Sequence, residues 1–282
     1  MKEYFKNEKH IFEANVTSDF VKIGGKYNDC INISIQRDKD NFPIKAKIPH
    51  LESEPECSFD NILENIDTID FIKASLQYVN QKFPTVTKFE FDDMSRIECG
   101  TKKGDYPPRK FDKPFSLSHF YIALNGETWY ENKFGAKIGN TYFYEIYRNN
   151  LIHLHDKINM KYDIFKVNYS INEKQDSVLS KYFSEEKTWH EFFNDIPRSE
   201  RCSGLFNWLE TAIMDILENT FTPHGWYIDI NTMPKTTMEI IEKQMKGGKI
   251  TRRIKRLGKG RIKFTNKKHI TRNGYIFDGE YY

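Results

Sequence analysis

Residues 65–91 read NIDTIDFIKASLQYVNQKFPTVTKFEF, and this stretch decides the fold class. Ile69, Ile72, Leu76 and Val79 recur at helical spacing, and Phe71 and Tyr78 widen the apolar stripe. A helix over Asn65–Lys82 with one buried face is therefore expected. Pro84 ends it, because proline disfavours helical backbone in the residue before it. Val86–Phe91 then alternates apolar and polar residues, the period of a strand with one face on a core.

Working outward, the first fifty residues read as β. His10–Val16, Phe20–Ile23 and Cys30–Gln36 are short runs bounded by turn formers such as Gly24-Gly25 and Asn28-Asp29. Ile31, Ile33 and Ile35 alternate with Asn32, Ser34 and Gln36, and a turn at 39–41 leads into Pro43–Pro49. Leu51–Asp60 and Cys99–Pro114 read as loops. A second helix starts near Ser116 and stops at Asn125-Gly126, and residues 128–131 add another turn or two that Gly135 ends. Asn140–Tyr147 fits a strand or the start of a helix. Beyond residue 150 the pattern is more helical. Thr188 and Glu191 have capping-box spacing. Ser203 precedes an apolar helix expected over Gly204–Glu218, Trp226–Ile230 reads as a strand, and Thr237–Lys246 reads as a last helix. The expected class is α+β. Residues 1–150 would form a mixed sheet flanked by helices, 151–248 a mainly helical unit, and 249–282 a basic tail.

Charge is strongly segregated. Thirteen lysines and arginines lie between Lys243 and Arg272, with no Asp or Glu among them. The rest of the chain holds 30 basic and 40 acidic residues, a balance of −10, which the total of +3 conceals. Such a run repels itself unless solvated or docked on a polyanion. Lys249, Arg252, Arg253, Lys255, Arg256, Lys259, Arg261 and Lys263 are the candidate nucleic-acid contacts. Ile250, Ile254, Leu257, Ile262 and Phe264 interleave with them, which favours docking over free solvation. An acidic protein surface is the alternative partner.

No apolar run is long enough for a membrane helix, and the N-terminus lacks the apolar core of a signal peptide. The four cysteines, Cys30, Cys57, Cys99 and Cys202, are scattered without a C-x-x-C, so unlinked thiols and no zinc site are expected, although an oxidised pair such as Cys57–Cys99 stays open. An intracellular or particle-associated location, not a secreted one, follows from these readings. His153 and His155 would share one face of a strand, as two ligands of an incomplete metal site, or else lie exposed between ordered stretches. Cys202, read as lying just before a helix, fits a core filler better than a reactive thiol.

The order of helix 65–82, strand 86–91, helix 116–125 and the phrase YENKFGAKI at 130–138 resembles the second half of the GNAT N-acetyltransferase fold. Gly126–Glu131 and Thr188–Phe193 also resemble segments of GNAT-like proteins from large nucleocytoplasmic DNA viruses. The resemblance spans about residues 10–145. It implies a GNAT-like mixed sheet, acetyl-CoA as cofactor, Tyr130 as the acid that protonates a leaving thiolate, and Glu90 or Asp92 as a base. Two features depart from it. Phe134-Gly135 reverses the family's Gly-Phe order. Residues 49–56, PHLESEPE, stand where the family carries a glycine-rich diphosphate loop, and they hold three carboxylates and no glycine. Like-charge repulsion and the loss of amide donors at proline oppose coenzyme A binding in the usual mode. The expected protein is thus a degenerate, non-catalytic GNAT-like viral protein without cofactor, binding nucleic acid through its tail. The alternatives are an acetyl-CoA-dependent N-acetyltransferase, or a virion assembly protein whose tail binds neighbouring subunits.

Overall fold

The computed structural model describes residues 1–7, 10–25, 29–51, 68–97 and 115–241. Five strands come first: β1 (Lys2–Lys6), β2 (Ile11–Val16), β3 (Phe20–Gly24), β4 (Asp29–Arg37) and β5 (Pro43–Leu51). Each pairs antiparallel with the next, as short turns require. The alternation in β4 sends Ile31, Ile33 and Ile35 into the core. β1 was not expected, because its sequence, KEYFK, is charged; only Phe5 is fully buried in it.

Helix α1 (Thr68–Lys82) follows, with Phe71, Ile72, Leu76, Tyr78 and Val79 buried. The Phe71 ring lies 5.1 Å from Phe12, and Tyr78 stacks on Phe5 at 4.6 Å, so α1 covers the face that β1 and β2 present. After α1 the chain enters β6 (Lys88–Phe91), which runs parallel to β5 with Ala46, Lys47 and Ile48 opposite Phe89, Glu90 and Phe91. A parallel neighbour needs a crossover, and α1 supplies it.

β7 (Arg96–Ile97) and β8 (Phe115–Ser116) form a separate two-stranded ladder. Then come α2 (Leu117–Asn125), α3 (Trp129–Phe134) and β9 (Lys137–Ile138). Ser116 caps α2, and Gly126 ends it in the left-handed region at φ 71°. The 140–147 segment is helical: α4 spans Thr141–Asn150 and runs into a 3-10 turn at Leu151–His155. Helices α5 (Tyr162–Asn168), α6 (Glu173–Leu179), α7 (Trp189–Asp195), α8 (Arg198–Leu205) and α9 (Leu209–Ile216) follow. Phe165, Trp189, Phe192, Phe193 and Trp208 pack as one aromatic core among them. The single helix expected over Gly204–Glu218 is two, because Asn207 takes a left-handed φ of 67° and breaks the ladder between α8 and α9.

β10 (Trp226–Asp229) returns to the sheet between β6 and β9, antiparallel to both. The last described strand, β11 (Glu239–Ile241), pairs antiparallel with β1. It overturns the helix expected at Thr237–Lys246 within the described part of that range. The nine-stranded sheet runs β11-β1-β2-β3-β4-β5-β6-β10-β9. Residues 230–238 therefore form a strap from one end of the sheet to the other. Ile230 donates to the Thr87 carbonyl at 2.9 Å, and Met233 is buried. The Gln77 side chain of α1, with its amide oriented to satisfy both groups, donates to Thr236 O and accepts from Thr236 N.

Cys30 and Cys202 are both disulfide-bonded, and no free cysteine occurs among the described residues. The expectation of unlinked thiols is thereby corrected for these two. Spacing alone could not reveal it, because disulfides are set by distances in the fold and not in the sequence. Cys57 and Cys99 lie outside the described residues. Cys202 sits within α8, not before a helix.

Candidate functional site

A cluster of polar groups lies at the end of β6. There the register with β5 stops at Ile48 opposite Phe91. β5 continues to Leu51 along β4, while β6 gives way to Asp92, Asp93, Met94 and Ser95. The two parallel strands thus part company, and the side chains beyond Phe91 are freed from the ladder.

The first of these, Asp92, accepts from Gly225 N at 3.1 Å and lies 3.4 Å from His224 Nδ1 and 3.6 Å from Lys47 Nζ. Burial pushes its carboxyl up, but the Gly225 N–H, Lys47 and His224 outweigh that and hold it below the ordinary aspartate value. An anion so stabilised is a poor proton acceptor, so Asp92 is not poised as a base. Glu90 is taken up by Lys45, 2.7 Å away.

Asp93 is the opposite case. It is 3 % exposed, its backbone N–H donates to Pro223 O at 2.7 Å, and its carboxyl accepts from Ser95 N at 3.4 Å. Burial pushes the Asp93 carboxyl up to about 7, against the Ser95 N–H and hydroxyl, and like-charged Glu131 adds to the rise. Ser95 Oγ lies 3.3 Å from the Tyr130 hydroxyl. Leu117 N donates to Ser95 O at 2.9 Å and fixes the serine against the start of α2.

Tyr130 belongs to α3, whose placement follows from its ends. Thr128 and Glu131 form a capping box, with Glu131 N donating to Thr128 Oγ1 and Thr128 N donating to Glu131 Oε2. Gly135, at φ 64°, closes the helix and returns its N–H to Glu131 O. One turn of helix thus holds Trp129, Tyr130 and Phe134 inward, and the Tyr130 ring packs 4.6 Å from Phe91. Glu131, also buried, accepts from Tyr147 at 2.8 Å and Tyr144 at 3.0 Å and pairs with Arg148 at 3.4 Å. Beside this anion, burial and Glu131 together push the Tyr144 and Tyr147 phenols well above the ordinary tyrosine range.

The sequence singles out Tyr130, which lies beside Ser95, but not Asp93, Ser95 or Glu131. A readable signal existed for Glu131, the same T-x-x-E spacing recognised at Thr188. None existed for Asp93, whose environment is assembled from Pro223, Ser95 and Glu131.

Other predicted groups fall elsewhere. His153 and His155 lie on the 3-10 turn, not on a strand. His153 Nδ1 contacts Asp156 at 2.8 Å, while the His155 ring faces His190 at 5.1 Å. Among the described residues, no group of three or more His, Cys, Asp or Glu could hold a metal ion. A cleft of about 410 Å³ lies beside Asn168, Asn172, Asn207 and Thr211; its lining is polar and holds no pair of ionisable side chains. Lys249, Arg252, Arg253, Lys255, Arg256, Lys259, Arg261 and Lys263 lie outside the described residues, as does most of the 49–56 segment. No described helix is long and apolar enough to cross a membrane.

No family model, curated protein or solved structure matches this chain.

Proposed function

We propose that this protein is a GNAT-like scaffold that binds a polyanion, nucleic acid foremost, through its basic C-terminal tail. The observation that carries the reading is the run of thirteen Lys and Arg between Lys243 and Arg272 without a carboxylate. The described body offers no comparable patch around the strand that leads into it. Lys2, Lys6 and Lys82 pair with Glu13, Glu239 and Glu3. The last described strand, β11, ends at Ile241 on an edge of the sheet, and the run begins at Lys243 in the sequence.

Binding by such a run releases counterions, about 0.9 per neutralised phosphate on duplex DNA, and is nearly indifferent to sequence. Removing all residues after Lys246 should abolish binding to duplex DNA at low salt. Charge reversal of Arg252, Arg253, Lys255 and Arg256 should flatten the slope of log affinity against log salt. Undiminished binding by the truncated chain would sink the reading. Transfer of the tail's affinity from DNA to an acidic protein surface would favour an assembly role.

A second reading, acyl transfer to an amine from a thioester donor, is favoured by one structural observation. β5 and β6 are a parallel pair in an order β5-β6-β10-β9, and the Tyr130 ring packs on Phe91 at the end of β6, which supports that reading. Against ordinary coenzyme A binding stand Asp92, beside Lys47 of β5, and the acidic sequence of 49–56. Calorimetry with acetyl-CoA separates the two: micromolar binding supports the transferase, and its absence leaves the scaffold.

A further inference from the structure

The cleft of about 410 Å³ between the end of α5, the start of α6 and the junction of α8 with α9 differs in chemistry from the rest of the chain. Charged residues are 29 % of the sequence, yet none lines this concavity. Its walls are amides and hydroxyls, and the buried rings of Tyr169 and Trp208, with centroids 5.7 Å apart, complete the lining. The frame is held from both sides. Asn172 and Gln175 close a capping box, with Gln175 N donating to Asn172 Oδ1 and Asn172 N donating to Gln175 Oε1, both at 3.0 Å. The Gln175 amide also donates to the Phe206 carbonyl, which ties α6 to the α8–α9 junction.

Two positions in this frame are strained. Ser170 has φ 51° and Asn207 φ 67°, both in the left-handed region. Ser170 follows the end of α5, where Ile171 N reaches back to Lys166 O at 3.0 Å and Ser170 N to Val167 O at 3.3 Å. Glycine usually fills that place, because a Cβ there raises the energy of the backbone. Asparagine tolerates it better when its side chain bonds locally. Among the described residues, however, neither the Asn207 amide nor the Ser170 hydroxyl has a hydrogen-bond partner, and the Asn168 amide and Thr211 hydroxyl have none either. These side chains do nothing for the fold that glycine or alanine would not do. Two amides and two hydroxyls therefore line one cavity with their donors and acceptors available.

We propose that this cleft binds an uncharged saccharide through the Asn168 and Asn207 amides and the Ser170 and Thr211 hydroxyls. Without a cation the lining offers no partner to a phosphate or carboxylate, and without a carboxylate it offers none to an ammonium group. With both rings buried it has no open aromatic face on which a nucleobase could stack. What matches it is a neutral, compact molecule whose polar groups donate and accept at once. A carboxamide presents a donor and an acceptor side by side, and neighbouring sugar hydroxyls present the complementary pair. The volume falls within the range of small-molecule sites, about 300–1,000 Å³. None of these residues belongs to the polar cluster at the end of β6.

The test uses the full ¹⁵N-labelled chain, with maltose, cellobiose, mannobiose and chitobiose as probes. The side-chain amide signals of Asn168 and Asn207 are assigned by their loss in Asn168→Ala and Asn207→Gly. At least one disaccharide, added to about ten times a Kd on the order of 1 mM, should shift both signals. Ser170→Gly and Asn207→Gly suit the left-handed backbone, so both variants should melt no lower than the parent. Each should nevertheless weaken disaccharide binding about fivefold, read on the Asn168 signal. Absence of any shift with all the disaccharides overturns the proposal, and so does undiminished binding by the two glycine variants. Lower melting of both variants would assign the side chains to the fold and overturn it too. Shifts produced only by a capped, uncharged pentapeptide of Ala and Ser, run in parallel, would give the cleft to peptide backbone instead.

Discussion

Asp93 makes the fold's stability depend on pH in an unusual direction. Its carboxyl is raised to about 7 from an ordinary 3.8, so the folded chain keeps a proton that the unfolded chain releases. Between about pH 4 and pH 7 its contribution must therefore weaken as pH rises, by about 1.4 kcal/mol per pH unit, and then level off. Glu3 and Asp92, whose values are lowered, act in the opposite sense and lose their contribution on acidification. The Asp93→Asn variant isolates the term. Its stability relative to the parent should climb steadily from pH 4 to 7 in urea titrations and stay level above. A difference independent of pH would show that Asp93 ionises normally.

At the scale of elements, the Gln77 contact is a side-chain clasp between α1 and the strap over 230–238. Replacing Gln77 with Ala removes two hydrogen bonds to Thr236. The expected cost is about 1–2 kcal/mol, with faster hydrogen exchange at Glu239–Ile241 and little change at β4. Unaltered exchange in β11 would mean that the strap is held by its other contacts, Met233 and the Ile230–Thr87 hydrogen bond among them. This element also marks where sequence reading reaches its limit. α1 and β6 were legible because their own periodicity declares them. β11 was not, since its three residues become a strand only by meeting β1, over two hundred positions away. The break between α8 and α9 depends on one left-handed asparagine that no periodicity betrays. In the site, Tyr130 was legible from a short phrase, whereas Asp93 lies past the end of β6, where strand alternation no longer says which way a side chain points. Glu90 and Asp92 looked equally suitable as bases until Lys45 and Gly225 were seen to occupy them.

For the molecule as a whole, the bonded state of Cys30 and Cys202 bears on where the chain folds. Disulfides form and persist in oxidising surroundings, which is at odds with the reducing interior that scattered cysteines suggested. Cys30 is 1 % exposed, so its own sulfur is shielded from a reductant while the fold is intact. In peptide mapping of denatured, unreduced protein trapped at lysis, Cys30 and Cys202 should resist iodoacetamide and react only after reduction. Labelling of either without reduction would place the chain among reduced proteins.

The pairing of Tyr4 with Ile241 has a consequence for biosynthesis. β1 cannot gain its outer neighbour on the ribosome until almost the whole described chain has followed it. Through that interval β1 presents an open rim of backbone donors and acceptors, the feature most apt to capture a wrong strand. Completion of the sheet, then, waits on the last described strand, and the positive run that follows it in sequence is synthesised after it.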